Sequence, residues 1–382
     1  MRKFLLSLHL YAGLTAGVFL VLLSVTGSFM VFEDEIDRAL NPKLTWVHPG
    51  DKRLSLAEMK SSLEAKYPGR AVVGFSISPQ NNLAWGVSLE SKTSQGPLNL
   101  AINQFTGDVL GTDSDRNNFV GYIHDFHLRL MMGDIGGSIV SFAAVLLLFL
   151  SLSGVVLWWP RKLLTVNWRG QITQINFEVH QVFGIYLSLF LMIFALTAVV
   201  IHWENEATKL ASRISNSVVL PALPRPQTVP LNAVTLSPDR ILSIAESTVP
   251  GAKATWILLA SNPARVAMKY PEDRTPSGRT NVFIDAYSGS VVYRLSSRSG
   301  PLGYRLVKLW NREIHTGDIG GLATRVLVCI VGLTLPVMAI TGPLIWWNRR
   351  RPASGFRNSL RLPRRHRGTS SSVGQGPSRY SL

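Results

Sequence analysis

Histidines are the residues of this chain best suited to chemistry, and six of the eight sit at the ends of long apolar runs. His9 and His180 each precede an acid, Glu33 and Glu204, by 24 residues, and each is followed one helical turn later by glycine, Gly13 and Gly184. His127 and His315 each precede the second residue of a Trp-Trp pair, Trp159 and Trp347, by 32 residues. Two imidazoles on different helices can offer one axial nitrogen to each side of a flat ring, which is what bis-histidine haem ligation needs. A glycine on the same helix face as the ligand leaves room for such a ring. His124 shares a helix face with His127, and His202 ends an apolar run at the same depth; both are reserve ligands. Zinc or copper held by His124, His127, His202 and His315 is the other chemistry open to this set. The single cysteine, Cys329, excludes Cys-based zinc sites, iron–sulfur clusters and covalent c-type haem attachment.

The elements that must position these residues are membrane helices. Of 382 residues 46% are hydrophobic and only 16% charged, against about 25% charged in a soluble domain. Four stretches lack charge for long enough to cross a bilayer: between Lys3 and Glu33, Asp134 and Arg161, Glu178 and Glu204, and Arg325 and Arg349. The first is too long for the apolar core of a cleaved signal peptide and is expected to remain as an anchor. The net charge of +16 is a topology signal rather than a nucleic-acid signature. Residues 1–3, 160–179 and 348–382 hold 14 Lys and Arg against one acid, Glu178, so these segments are expected in the cytoplasm. From either Glu33 or Glu204 back to its histidine, a helix rises about 36 Å. His9 and His180 therefore belong near the cytoplasmic face, and His127 and His315 at the outer one.

The expected organisation is a first membrane helix in 1–32, an outer domain in 33–130, a second helix in 131–159 and a cytoplasmic loop in 160–178. A third helix in 179–203, a second outer domain in 204–318 and a fourth helix in 319–347 follow, with a basic, disordered tail in 348–382. Each outer segment reads as a helix followed by four strand-like runs. The first has a helix at 54–67 and runs at 71–77, 83–89, 98–103 and 108–110. The second has a helix at 237–247 and runs at 254–259, 265–270, 280–284 and 290–293, with a Pro-rich linker at 221–230 before it. Matching turns, Phe105-Thr-Gly-Asp108 and Tyr287-Ser-Gly-Ser290, stand before the last strand of each.

The helices repeat as well. His9 and His180, Gly13 and Gly184, Thr26 and Thr197, and Glu33 and Glu204 all differ by 171. Gly-Asp-Ile-Gly-Gly precedes the second and fourth spans, at Gly133 and Gly317, and both spans end in Trp-Trp. The chain reads as two parallel copies of one unit, with a pseudo-twofold axis along the membrane normal.

The order His9-Leu-Tyr-Ala-Gly13, Thr26-Gly27, Phe32-Glu-Asp-Glu-Ile-Asp37, His127 to Gly137, Trp158-Trp-Pro160, His180 to Gly184 and His315-Thr-Gly-Asp resembles the PepSY-associated transmembrane family. Within it, the chain is most similar to the FoxB-like branch of inner-membrane ferric-siderophore reductases. The likeness covers nearly the whole chain except the Arg-rich tail. It implies an α-helical membrane protein with four transmembrane helices in two parallel repeats and two small α+β PepSY-like periplasmic domains. It also implies b-type haem, two groups in all, with His9, His180, His127 and His315 as axial ligands and both termini in the cytoplasm.

The expected activity is then transmembrane electron transfer, from a quinol or a cytoplasmic donor to ferric iron in a periplasmic siderophore. Hydroxamate oxygens hold Fe(III) far better than Fe(II), so one electron loosens the iron and spares the chelator. Two other readings compete: a membrane-anchored module that binds a periplasmic partner without redox chemistry, and a transporter for iron chelates. Four spans without an intramembrane acid offer a transporter a poor polar path. No G-x-S-x-G, H-E-x-x-H or P-loop order points to hydrolysis.

Overall fold

A computed structural model describes residues 1–91, 96–220, 223–225, 227–228 and 234–350. Most of the basic tail, with His366, and parts of the Pro-rich linker lie outside the described residues. Four helices are long and apolar enough to cross a membrane: α1 (Arg2–Met30), α5 (Gly133–Trp158), α6 (Ile172–His202) and α10 (Leu322–Arg350). Between α1 and α5 lie α2 (Glu33–Leu40), α3 (Leu56–Lys66), strands β1 (Arg70–Ser76), β2 (Trp85–Ser91), β3 (Leu98–Ile102) and β4 (Val109–Thr112), then α4 (Phe119–Arg129). Between α6 and α10 the same order returns as α7 (Glu204–Ile214), α8 (Pro238–Thr248), β5 (Lys253–Leu258), β6 (Ala264–Lys269), β7 (Thr280–Ile284), β8 (Val291–Leu295) and α9 (Asn311–Thr316).

Local chemistry accounts for the starts and turns. Ser55 and Glu58 close a reciprocal capping box on α3 (Ser55 N–H to Glu58 Oε2 2.8 Å, Glu58 N–H to Ser55 Oγ 3.1 Å), and Ser237 with Pro238 opens α8. The two matching turns place Gly107 and Gly289 at φ of 78° and 76°. Only glycine adopts that backbone without strain. In both turns a side-chain oxygen, of Asn103 or Asp285, accepts from the backbone two residues on.

The two outer segments share one sheet. Strands run β8-β7-β6-β5-β1-β2-β3-β4, and the joint is an antiparallel pairing of β1 with β5: Gly74 opposite Leu258, Phe75 opposite Ile257 and Ser76 opposite Trp256. A side chain at Gly74 would stand 3.0 Å from the Ile257 carbonyl oxygen, so the close approach of the strands favours glycine there. Helices α3 and α8 pack side by side, and one core runs beneath both, joining Met59, Leu63, Phe75 and Leu100 to Ile241, Ile257, Val266 and Ile284. The Asp239 carboxylate at the start of α8 accepts from the Leu56 and Ala57 backbone N–H groups at the start of α3, at 2.9 and 2.8 Å. An anion is thereby set on a helix N-terminus across the joint. Sequence periodicity predicts each strand set but not this seam, because edge strands of either set carry no signal naming their neighbour.

In the membrane part α1 packs on α5 and α10, and α6 packs on the same two, so α1 and α6 stand diagonally. Ala16, Leu20, Ala143, Leu147, Leu191, Ala195 and Val331 fill the centre, where small residues let helices approach closely. Phe4, Val18, Phe142, Val156, Leu189 and Ile340 point outward to lipid. Arg325 fastens the start of α10 to α2 through a two-pronged pair with Glu35 (both N–O distances 2.8 Å) and lies over the Phe32 ring. The third span begins at Ile172, ahead of the expected 179, because Glu178 is satisfied inside the helix start by Asn167 N–H and Gln174 Nε2, at 2.6 and 2.8 Å. The two Gly-Asp-Ile-Gly-Gly motifs are not equivalent in place. The first opens α5, whereas the second forms a 3₁₀ turn before α10, so that Gly133 (φ 58°) and Gly321 (φ 67°) hold matching positions.

Phe75 and Ile257 are fully buried on either side of the seam. Phe75→Ala should cost about 3–5 kcal/mol of outer-domain stability. Because the core is shared, limited proteolysis should then release fragments from both halves together; cleavage confined to 33–130 would contradict a single cooperative unit.

Candidate functional site

Helices α1 and α6 bring His9 and His180 together across the bundle diagonal, with ring centroids 6.5 Å apart and planes at 88°. A hydroxyl on a neighbouring span holds each ring. His9 Nδ1 lies 2.8 Å from Ser153 Oγ, and His180 Nδ1 lies 2.9 Å from Thr341 Oγ1. Each hydroxyl gives its single proton to its own helix, Ser153 to the Phe149 carbonyl (2.7 Å) and Thr341 to the Val337 carbonyl (2.8 Å). With its proton so placed, the hydroxyl accepts from the imidazole, an assignment that puts the imidazole proton on Nδ1 and leaves the Nε2 lone pair for a metal.

The spacing suits such a metal. Metal–nitrogen bonds of about 2 Å on each side, with about 1.1 Å from each nitrogen to its ring centre, would separate the centroids by about 6.2 Å. Both rings lie against glycine: a Cβ at Gly154 would stand 3.6 Å from His9 Cε1, and one at Gly342 would stand 3.4 Å from His180 Cε1. A cavity of about 740 Å³ surrounds the pair, lined by both histidines with Gly13, Gly17 and Gly184. Gly13 and Gly184 line this cavity, but Gly154 and Gly342 are the glycines the imidazoles touch. They and their hydroxyl neighbours escape a reading of single motifs. The signal is a common offset of 188 that relates Ser153-Gly154 to Thr341-Gly342, His127 to His315 and Trp158 to Trp346.

The second pair is built by the same rule at the sheet end. His127 on α4 approaches Thr26 of α1 (Nδ1 to Oγ1 3.1 Å), and Thr26 donates to the Leu22 carbonyl at 2.8 Å. His315 on α9 approaches Thr197 of α6 (2.8 Å), and Thr197 donates to the Ile193 carbonyl at 2.7 Å. Gly27 lies so close to His127 that a Cβ there would stand 2.8 Å from Cε1. The Phe194 ring stands edge-on to His315 at 6.3 Å, and Asn311 braces α9 by donating to the Thr197 carbonyl at 3.1 Å. His9 precedes Thr26, and His180 precedes Thr197, by 17 residues. The two layers are therefore about 25 Å apart along the helices, with the apolar cluster of Ala16, Leu147 and Ala195 between them.

The reserve residues face elsewhere. His124 Nδ1 pairs with Glu33 Oε2 at 2.7 Å, with 42% of its side chain exposed. His202 stacks edge-on against Trp203 at 4.7 Å, beside Gly137. Among the described residues no three of His, Cys, Asp and Glu converge on one point, so a zinc or copper site made of His124, His127, His202 and His315 is not formed. The reason is geometric: His127 and His315 are drawn to threonines on α1 and α6, while His124 is turned toward α2 by the Glu33 carboxylate.

Residues 6–349, which hold all four spans, match one family model, described as PepSY-associated TM region. The chain belongs to this family. The PepSY-associated TM region match includes all four hydroxyl-held histidines and both halves of the sheet. A search of the curated proteins finds no match.

The Glu33 carboxylate, by accepting the His124 hydrogen bond, holds that imidazole above its ordinary pKa of 6.5, against the opposing effect of burial. A raised histidine contributes its stabilisation below the ordinary value and loses it as pH climbs through the folded-state value. Thermal unfolding should therefore show the α2–α4 contact at full strength below about pH 6.5 and weakening as pH rises past it. Glu33→Gln should flatten that dependence; an unchanged profile would exclude the pair as its source.

Proposed function

We propose that this chain is a haem-carrying oxidoreductase of the bacterial inner membrane, similar to the FoxB-like branch, that passes electrons across the bilayer to ferric iron held by a periplasmic siderophore. The observation that carries the reading is the shared geometry of four histidines, each with Nδ1 engaged by a Ser or Thr hydroxyl of another helix. One b-type haem belongs to His9 and His180, a second to His127 and His315. When bound, each supplies one-electron chemistry by cycling between ferric and ferrous iron.

The chain's own residues do the rest. Ser153, Thr341, Thr26 and Thr197 set the tautomer and aim the rings. Gly154, Gly342 and Gly27 let the imidazoles come close to neighbouring helices, and the lipid-facing residues keep water from the bundle centre. The balance of basic residues puts residues 1–3 and the end of α10 in the cytoplasm and the eight-stranded sheet in the periplasm. The donor is then a quinol or a cytoplasmic reductant. The two parallel repeats of the chain, each a span, a PepSY-like half-domain and a second span, supply one member of each histidine pair apiece. The substrate step is the arrival of one electron at a ferric chelate and departure of the more weakly held Fe(II).

Purified full-length protein should be red, with a Soret band and sharp α and β bands after dithionite. His9→Ala and His315→Ala should each remove about half of the haem absorbance, one of two sites. A colourless, folded preparation from haem-replete cells would refute the proposal in favour of a non-redox partner-binding module. Thr341→Val should weaken haem retention about tenfold or more, while Thr341→Ser, which keeps the hydroxyl, should not. Pyridine haemochrome assay after gel filtration measures both. Equal retention in the two variants would remove the hydroxyl from the ligand arrangement.

A further inference from the structure

The cavity around His9 and His180 is built with opposite ends of different chemistry. Its inner end is closed by Leu20, Leu147 and Leu191, which belong to the apolar centre of the bundle. Its open end carries Arg2, Lys3, Arg161 and Arg349, and no Asp or Glu lines it anywhere. Two of these cations are organised. Arg161, just after α5, and Arg349, in the last turn of α10, share the ring of Phe177, their guanidinium carbons 4.9 and 5.9 Å from its centroid. Attraction to one ring brings the two guanidiniums together and leaves their N–H groups to engage an anion. Among the described residues neither arginine pairs with a carboxylate. The nearest acid in sequence, Glu178, is already engaged by Asn167 and Gln174. The residues beyond Arg350 contain no Asp or Glu that could neutralise them.

A ligand matching this cavity has an apolar body, a metal reached by two imidazoles, and anionic groups on one edge. We propose that Arg161 and Arg349, set by Phe177, bind the two carboxylates of the macrocycle held by His9 and His180, so that its carboxylate edge faces the open end. This rests on the haem reading of that site and adds its orientation and its anion-binding residues. The same cations could instead meet phosphates of lipid headgroups, since both ligands present anionic oxygens to guanidinium.

The test is release of haem from the purified full-length protein to an excess of a high-affinity scavenger, followed by visible absorbance. The phase belonging to the first pair is the one that His9→Ala removes. Arg161→Gln with Arg349→Gln should speed that phase about tenfold or more, the size expected for losing charge-assisted hydrogen bonds. The phase that His315→Ala removes should be unchanged. In the unsubstituted chain, haem esterified at both carboxylates should leave as fast as ordinary haem leaves the double variant, which tests the contact without altering the fold. An unchanged His9-dependent phase, together with no effect of esterification, would overturn the proposal. An effect of the double variant that appears in nanodiscs of anionic lipid and vanishes in neutral ones would assign the arginines to headgroups instead. A colourless preparation would remove the haem reading itself, an outcome distinct from failure of the carboxylate contact alone.

Discussion

A hydroxyl inside an apolar helix bundle has one proton to give, and the arrangement of this membrane part depends on where that proton goes. Ser153, Thr341, Thr26 and Thr197 each return it to a carbonyl one turn back on their own helix. What remains is an acceptor of fixed direction on the helix surface. An imidazole from another helix satisfies it and, in doing so, joins the two helices: α1 to α5, α6 to α10, α4 to α1 and α9 to α6. Polar groups in such a setting are costly unless paired, so each contact also restricts how its helices can slide or rotate. The same hydrogen bond holds each histidine by its Nδ1 and fixes how the ring is turned. Four helix contacts therefore rest on one kind of interaction.

Helix α4 reaches His127 into α1, and α9 reaches His315 into α6. Each follows directly on its half of the sheet, so the outer domain and the second histidine layer form a continuous mechanical unit. The β1–β5 seam, the Asp239 contact with the start of α3 and the common core bind the two sheet halves into one body above that layer. The joint between body and bundle is reinforced by the Arg325–Glu35 pair and the His124–Glu33 pair, both on the short helix α2 that follows α1. At the opposite end, the basic residues Arg2, Lys3, Arg161 and Arg349 gather around the cavity mouth. The two ends of the bundle thus differ: one is capped by folded protein, the other opens through cations.

Much of this was legible along the chain because hydrophobic runs and turn chemistry are local. The four spans, both helix-plus-four-strand orders and the turns at Gly107 and Gly289 follow from residues within one element. The histidine pairs stood out because their distances to Glu33 and Glu204, and to Trp159 and Trp347, agree. Three features were not legible, each for a physical reason. Glu178 looked like a span boundary because charge alone marks boundaries, yet a carboxylate satisfied by its own helix start lies inside one. The paired Gly-Asp-Ile-Gly-Gly motifs looked equivalent, but one sits in α5 and the other four residues ahead of α10's matching position. His124 and His202 lay at ligand depth, but depth carries no information about rotation around a helix or about a competing carboxylate.

The sequence by itself determined which segments are apolar enough to span, which side carries the positive charge, and which histidines share a depth. These properties depend on composition and on distance along the chain. Only the tertiary structure decided that His9 and His180 face each other across the bundle diagonal, that Gly154 and Gly342 lie against them, that both outer segments share one sheet, and that Arg161 and Arg349 converge on Phe177. Each of these depends on the rotation of one helix against another or on the choice of a strand's neighbour. Both are settled by the packing of residues far apart in the chain.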